Sequence, residues 1–194
     1  MSGEAAGSPP GDAERPLRLF VALELPDPIR DALAEVGAAA DRDAWRAVGA
    51  ASLHLTLAFL GSRPPGDVAA ISRVLDAEAG SAAPRLSLNG ALLLPPRRPR
   101  VLTVALDDPD GTLAALQGRV SAGLEAVGVY TPEKRPFRAH ITVARLRPRA
   151  RAAPAPELDL DDEPFTAAWL TLFQSQLHPK GARYTPVTSA MLAA

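Results

Sequence analysis

Two periods run through the hydrophobic positions of this 194-residue chain. Alternating or continuous apolar runs predict strands over Arg18–Leu25, Leu53–Leu60, Leu86–Leu94, Val101–Leu106, Phe137–Leu146 and Trp169–Leu177, with another over Arg183–Leu192. Between them the spacing lengthens to three or four. Ile29, Leu33, Val36 and Ala40 mark one amphipathic helix, Val68, Ile71, Val74 and Leu75 a second, and Leu113, Leu116, Val120, Leu124 and Val127 a third. Pro26-Asp27-Pro28 opens the first helix with Asp27 as its N-cap, and Pro64-Pro65-Gly66-Asp67 opens the second. Gly61-Ser62 closes the strand before it. Residues 1–16 are mostly Gly, Pro, Ala and charge, which predicts a disordered tail, and a Pro/Ala/Arg-rich connector covers 147–164. Residues 17–194 are expected to form a single domain.

The order of elements repeats. Phe20-Val21-Ala22-Leu23-Glu24-Leu25-Pro26-Asp27 aligns with Thr103-Val104-Ala105-Leu106-Asp107-Asp108-Pro109-Asp110 at an offset of 83. Each copy leads through a helix to a histidine-bearing strand. Those strands carry near-identical pentads, His54-Leu55-Thr56-Leu57-Ala58 and His140-Ile141-Thr142-Val143-Ala144, offset by 86. Side chains alternate faces along a strand, so His and Thr two apart share a face, roughly 6–7 Å apart. The aliphatic residues between them point the other way. Two halves of similar build would each deliver an imidazole and a hydroxyl to a shared cleft.

Composition narrows the chemistry. The chain is 47% hydrophobic and 22% charged, as in ordinary globular proteins. A formal net charge of −1 gives no long-range field to recruit duplex nucleic acid, although Arg97, Arg98 and Arg100 form a local basic cluster. The absence of cysteine excludes disulfides, thiol nucleophiles and thiolate metal sites. The first 16 residues have no apolar core of a signal peptide, and no run reaches the roughly 18–20 apolar residues of a membrane span. A cytoplasmic protein without membrane contact is expected.

Imidazole accepts a proton when neutral and donates one when charged, and both forms are accessible near neutrality. Histidines on opposite sides of a phosphorus atom can deprotonate an attacking oxygen and protonate a leaving one. Thr56 and Thr142 can hold the non-bridging oxygens during displacement. No metal or cofactor is needed, and no HExxH or cysteine cluster is present. Arg145, just beyond the second pentad, is a phosphate-binding candidate. Strand alternation turns it away from His140 and Thr142 unless the strand twists or ends there. Phe20 is a candidate for stacking on a nucleobase or for the core. Arg97, Arg98 and Arg100 are candidates for guiding an RNA backbone. His178, at a strand end, has no comparable context.

The two pentads resemble the paired HxTx motifs of the 2H phosphoesterase superfamily, and within it the RNA 2′,3′-cyclic phosphodiesterases, formerly called 2′-5′ RNA ligases. Arg18-Leu19-Phe20-Val21-Ala22-Leu23, Phe59-Leu60-Gly61, Pro99-Arg100-Val101-Leu102 and Leu172-Phe173-Gln174-Ser175-Gln176-Leu177 with Gly181 and Tyr184 extend the likeness over residues 17–190. The resemblance implies an α+β, bilobal, pseudo-twofold fold with antiparallel sheets lining a central cleft and helices outside. It also implies that His54 is the proton donor to the leaving 3′ oxygen and His140 the proton acceptor that activates water. The implied substrates are RNA ends or nucleotides with a 2′,3′-cyclic phosphate, the product is a 2′-phosphomonoester, and the default is a monomer. Three alternatives stay open: a non-catalytic RNA-end or nucleotide binding module, an enzyme for another nucleotide cyclic phosphate, and 2′-5′ RNA ligase activity.

Overall fold

The computed structural model describes residues 15–156, 163–178 and 181–194. In chain order the elements are β1 (Leu17–Leu23), α1 (Asp27–Ala39), β2 (Trp45–Ala47), β3 (Leu55–Arg63), α2 (Val68–Asp76), β4 (Arg85–Leu94), β5 (Val101–Asp107), α3 (Thr112–Ala126), β6 (His140–Leu146), β7 (Phe165–Thr166), β8 (Trp169–His178) and β9 (Gly181–Met191). Among the described residues the strands form one nine-stranded sheet in the order β7-β4-β5-β6-β3-β1-β8-β9, with β2 also on β6. All pairings between the strands are antiparallel. The fold is α+β, and its sheet divides into a four-stranded side, β3-β1-β8-β9, and a five-stranded side, β7-β4-β5-β6 with β2.

The seam between the halves is narrow. β3 and β6 pair in register only at Leu55 and Ile141, whereas β1–β3 and β5–β6 pair along most of their lengths. Beyond that point the halves splay apart, and β6 turns its free edge to β2 at Ala144–Leu146. A cleft therefore opens along the two motif strands. The opposite face is core: Leu55, Leu57, Ile141 and Val143 are buried, along with Leu19, Val21, Leu23, Leu102 and Val104.

The helices are exchanged between the halves. α1, which follows β1, packs on β2 and β6, while α3, which follows β5, packs on β3. The contact of α1 is close enough that a Cβ on Gly37 would lie 2.5 Å from the Val143 carbonyl oxygen. At the matching place on the other motif strand, Gln117 of α3 donates to the Leu57 carbonyl at 3.4 Å.

Several boundaries differ from the sequence expectations. Asp27 is the first residue of α1, which has no side-chain cap, and it pairs with Arg30. β3 does not stop at Gly61-Ser62; it runs to Arg63, with Gly61 at φ +73 admitting the irregularity. The second motif strand begins at His140 rather than Phe137. The short strands β2 and β7 carry too few residues for a periodic signal. The repeat holds, but its first strands align differently: Ala22 faces Thr56 as Thr103 faces Thr142, an offset of 81. The expected tail lies outside the described residues up to 14, as does 157–162 of the connector. No helix is long and apolar enough to cross a membrane.

Candidate active site

The seam pair fixes the site. With Leu55 opposite Ile141 on the core face, antiparallel geometry places His54 beside Thr142 and Thr56 beside His140 on the cleft face. Each imidazole thus neighbours the hydroxyl of the other pentad. His54, Thr56, His140 and Thr142 line one small pocket together with Arg145, Ser52, Val48 and Tyr184.

Both histidines are oriented in the same way. Nδ1 of His54 lies 2.8 Å from the Ser52 carbonyl, and Nδ1 of His140 lies 2.8 Å from the Arg138 carbonyl. A carbonyl oxygen can only accept, so each Nδ1 carries the hydrogen and donates. Nε2 is left as the nitrogen that exchanges protons on each ring.

Arg145 reaches the pocket because β6 contains a bulge. Leu102 pairs with Ala144 and Thr103 with Thr142, so Val143 is the extra residue. Val143 and Ala144 both turn into the core, and the next residue faces the cleft again. β3 has the same bulge: Val21 pairs with Ala58 and Ala22 with Thr56, leaving Leu57 extra. The residue re-aimed there is Phe59, which is 46% exposed. The bulge carbonyls are met by Val48 N–H on Val143 at 2.8 Å and by Gln117 on Leu57.

The surroundings of the histidines differ. His54 is enclosed by aromatic rings, with the Phe20 centroid 4.7 Å away and the Tyr184 ring edge-on at 5.1 Å. Phe173 stacks on Phe20 at 5.3 Å and lies 6.3 Å from the His54 ring. Phe20 is therefore not a free stacking surface: at 2% exposed it is a buried prop beneath the imidazole. Burial lowers the His54 pKa to about 4; the Ser52 hydrogen bond opposes this, and the charges of Arg145 and His140 add to it. Of the residues around His54, Tyr184 appeared in the sequence only as part of a terminal pattern, and Ser52 and Val48 carried no signal. His178 ends β8 opposite Gly181, and Arg97, Arg98 and Arg100 lie in and just after the exposed β4–β5 turn, none of them among the residues of this pocket. Among the described residues no cluster of three or more His, Cys, Asp or Glu could hold a metal ion.

The profile of the 2′-5′ RNA ligase superfamily matches residues 25–177. The chain belongs to this superfamily, the 2H phosphoesterases. Similar members include the RNA 2′,3′-cyclic phosphodiesterase of Thermus thermophilus, 34% identical over 181 residues, covering 87% of each chain. The protein of the same name from Escherichia coli is 31% identical over 173 residues, covering 89% of this chain and 94% of its own. Among solved 2H structures, TT0787 of Thermus thermophilus superposes with a TM-score of 0.78 at 31% identity, covering 90% of this chain and 97% of that one. Escherichia coli LigT complexed with 3′-AMP gives 0.77 at 28%, covering 92% and 99%.

Proposed function

We propose that this 2H phosphoesterase hydrolyses 2′,3′-cyclic phosphate ends of RNA, or the corresponding nucleotides, to 2′-phosphomonoesters. The observation that carries the reading is the pair of imidazoles on one cleft face, each with Nδ1 tied to backbone and Nε2 available, interleaved with two threonines. Relatives named RNA 2′,3′-cyclic phosphodiesterase, at 31% and 34% identity over most of the chain, support it.

In the proposed reaction His140 Nε2 takes a proton from water as the water oxygen bonds to phosphorus. The bond from phosphorus to O3′ breaks in line, and O3′ takes the proton of His54 Nε2. One water is consumed and the phosphate remains on O2′. Thr56, Thr142 and Arg145 hold the non-bridging oxygens. With a pKa of about 4, His54 is neutral at pH 7, so the donor role requires the anion to recharge it. A phosphate between the rings offsets the positive field of Arg145 and stabilises the imidazolium. The scheme uses no metal, and a cytoplasmic monomer suffices for it.

The test is incubation with EDTA and an oligoribonucleotide ending in a 2′,3′-cyclic phosphate, followed by identification of the phosphate position. The expected product is the 2′-phosphate, with a bell-shaped pH profile. His54→Ala and His140→Ala should each lose about 10²–10⁴-fold in kcat. Robust turnover by the double variant would overturn the mechanism, and tight binding without turnover by the unaltered protein would favour a binding module.

A further inference from the structure

The two pentads bring matching groups to both sides of a bound phosphate, and a 2′,3′-cyclic phosphate offers two ester oxygens of like chemistry. Paired His and Thr side chains serve O2′ and O3′ equally. Choosing between these oxygens requires a polar group that only one side possesses. Of the polar residues lining the small pocket, Ser52, Arg145 and Tyr184 stand outside the pentads. Arg145 offers a fork of donors suited to the non-bridging oxygens, and Ser52 orients His54 through its backbone carbonyl. Tyr184 is left without a task.

β9 supplies this residue, and the other side of the sheet has no equivalent strand. β9 and β7 are the outermost strands, yet β9 runs for 11 residues and β7 for 2. The register outward from His140 leads to Ala105 and then Asn89, whereas β7 meets β4 only at Arg85 and Leu86. Tyr184 pairs with Ser175 of β8, and its ring is fixed from two directions. It stands at 77° to Phe20 with centroids 5.0 Å apart, and at 88° to His54 with centroids 5.1 Å apart. The residue is half-buried, and its hydroxyl has no hydrogen-bond partner among the described residues. In a pocket of about 60 Å³ every lining group is within reach of whatever fills it. A wider groove of about 890 Å³ opens from Thr56 and His140, and Tyr184 is not among its lining residues. Tyr184 therefore meets the phosphate end of a ligand and not the remainder.

We propose that the Tyr184 hydroxyl donates to O2′ of the cyclic phosphate, which leaves O3′ turned to His54 and fixes the product as the 2′-phosphomonoester. This rests on the phosphodiesterase reading of the cleft. Without the hydroxyl the cyclic ester also binds with its two oxygens exchanged. In that orientation the bond from phosphorus to O2′ breaks, O2′ takes the proton of His54 Nε2, and the phosphate stays on O3′. One water is consumed as before, and only the position of the phosphate changes.

The experiment compares the protein with Tyr184→Phe, which keeps the ring and removes the donor. The substrate is adenosine 2′,3′-cyclic phosphate, and chromatography separates adenosine 2′-phosphate from adenosine 3′-phosphate. The unaltered protein should give the 2′-phosphate almost alone. The ratio of the two products should fall about ten-fold in the variant, the discrimination that a single hydrogen bond supplies. The imidazole titration of His54 should stay where it was, because both ring contacts remain. An unchanged product ratio, or a mixture from the unaltered protein, overturns the assignment. So does a ratio that falls together with a displaced His54 titration, since Tyr184 would then be a prop for the imidazole. If the unaltered protein turns over nothing, it is the phosphodiesterase reading that fails. Calorimetric titration with the two adenosine monophosphates then decides the hydrogen bond separately. A preference for the 2′-phosphate that the variant loses supports it, and a preference that is absent or retained overturns it. Thermal melting of the variant excludes misfolding as the cause.

Discussion

Two imidazoles with nearly the same neighbours in sequence end in different surroundings, and single residues make the difference. His54 has Phe20 beneath it, Tyr184 at its edge and Arg145 in its pocket. The residue matching Arg145 is Phe59, which faces the groove at His140. This asymmetry predicts a measurable electrostatic coupling. Because the positive charge of Arg145 helps depress the His54 pKa, Arg145→Ala should raise it, read from the imidazole Cε1 proton shift against pH. An unmoved or lowered pKa would show that the guanidinium does not act on the ring. The same depression couples to stability. Between pH 6.5 and about 4 the unfolded chain protonates position 54 while the folded protein does not, so stability falls as pH falls through this window. A shift of this size corresponds to at most about 3 kcal/mol. Urea unfolding at pH 7 and pH 4.5 should show a smaller loss for His54→Gln than for the unaltered protein; equal losses would refute the buried neutral imidazole.

At the scale of elements, the paired bulges do what alternation alone forbids. The two pentads, their shared face and most strand and helix spans were legible in the sequence, because aliphatic periodicity follows directly from one face being buried. Arg145 was legible as a residue type and hidden as a position. A bulge is a mismatch between two strands, and nothing within Thr142-Val143-Ala144-Arg145 alone reveals that Leu102 skips a partner. The aromatic enclosure of His54 was hidden for a similar reason, since it joins β1, β8 and β9 from opposite ends of the chain. The bulge in β6 is held by packing from α1. Gly37→Ala would drive a methyl to 2.5 Å from the Val143 carbonyl, where backbone and not a flexible side chain must give way. It should cost about 1–3 kcal/mol by denaturant unfolding, although alanine ordinarily favours a helix. Displacing Val143 also moves Arg145, so kcat/KM should fall further than for Gly118→Ala on α3, where the new Cβ meets nothing within 4 Å. An unchanged or raised stability for Gly37→Ala would mean that the helix contact is slack and the bulge is held by β2 alone.

For the whole molecule, duplication and folding unit are not the same thing. The sequence repeat suggests two modules, yet neither half of the sheet is built from one half of the chain. β8 and β9 complete the side that begins with β1 and β3, while β4 and β7 complete the side of β5 and β6. The helices cross in the same sense, α1 onto β6 and α3 onto β3. Separating the repeats would strip β1 of β8, expose the core face of Leu55 and Leu57, and leave Leu113, Leu116, Val120 and Leu124 of α3 without the strand they cover. The quartet of His54, Thr56, His140 and Thr142 sits where these exchanges converge, on the single registered pair between β3 and β6. Cooperative unfolding of the two halves of the sheet as one unit follows. Calorimetry should give one transition with calorimetric and van't Hoff enthalpies in agreement, and chemical shifts of His54 and His140 should change at the same midpoint. A fragment ending after β5 should remain unfolded by circular dichroism and amide exchange. Two separable transitions, or a folded fragment, would mean that the halves retain modular stability and that the cleft is a junction between independent units. Agreement with a single transition would tie any mutation that loosens one half, Gly37→Ala included, to the geometry of both histidines.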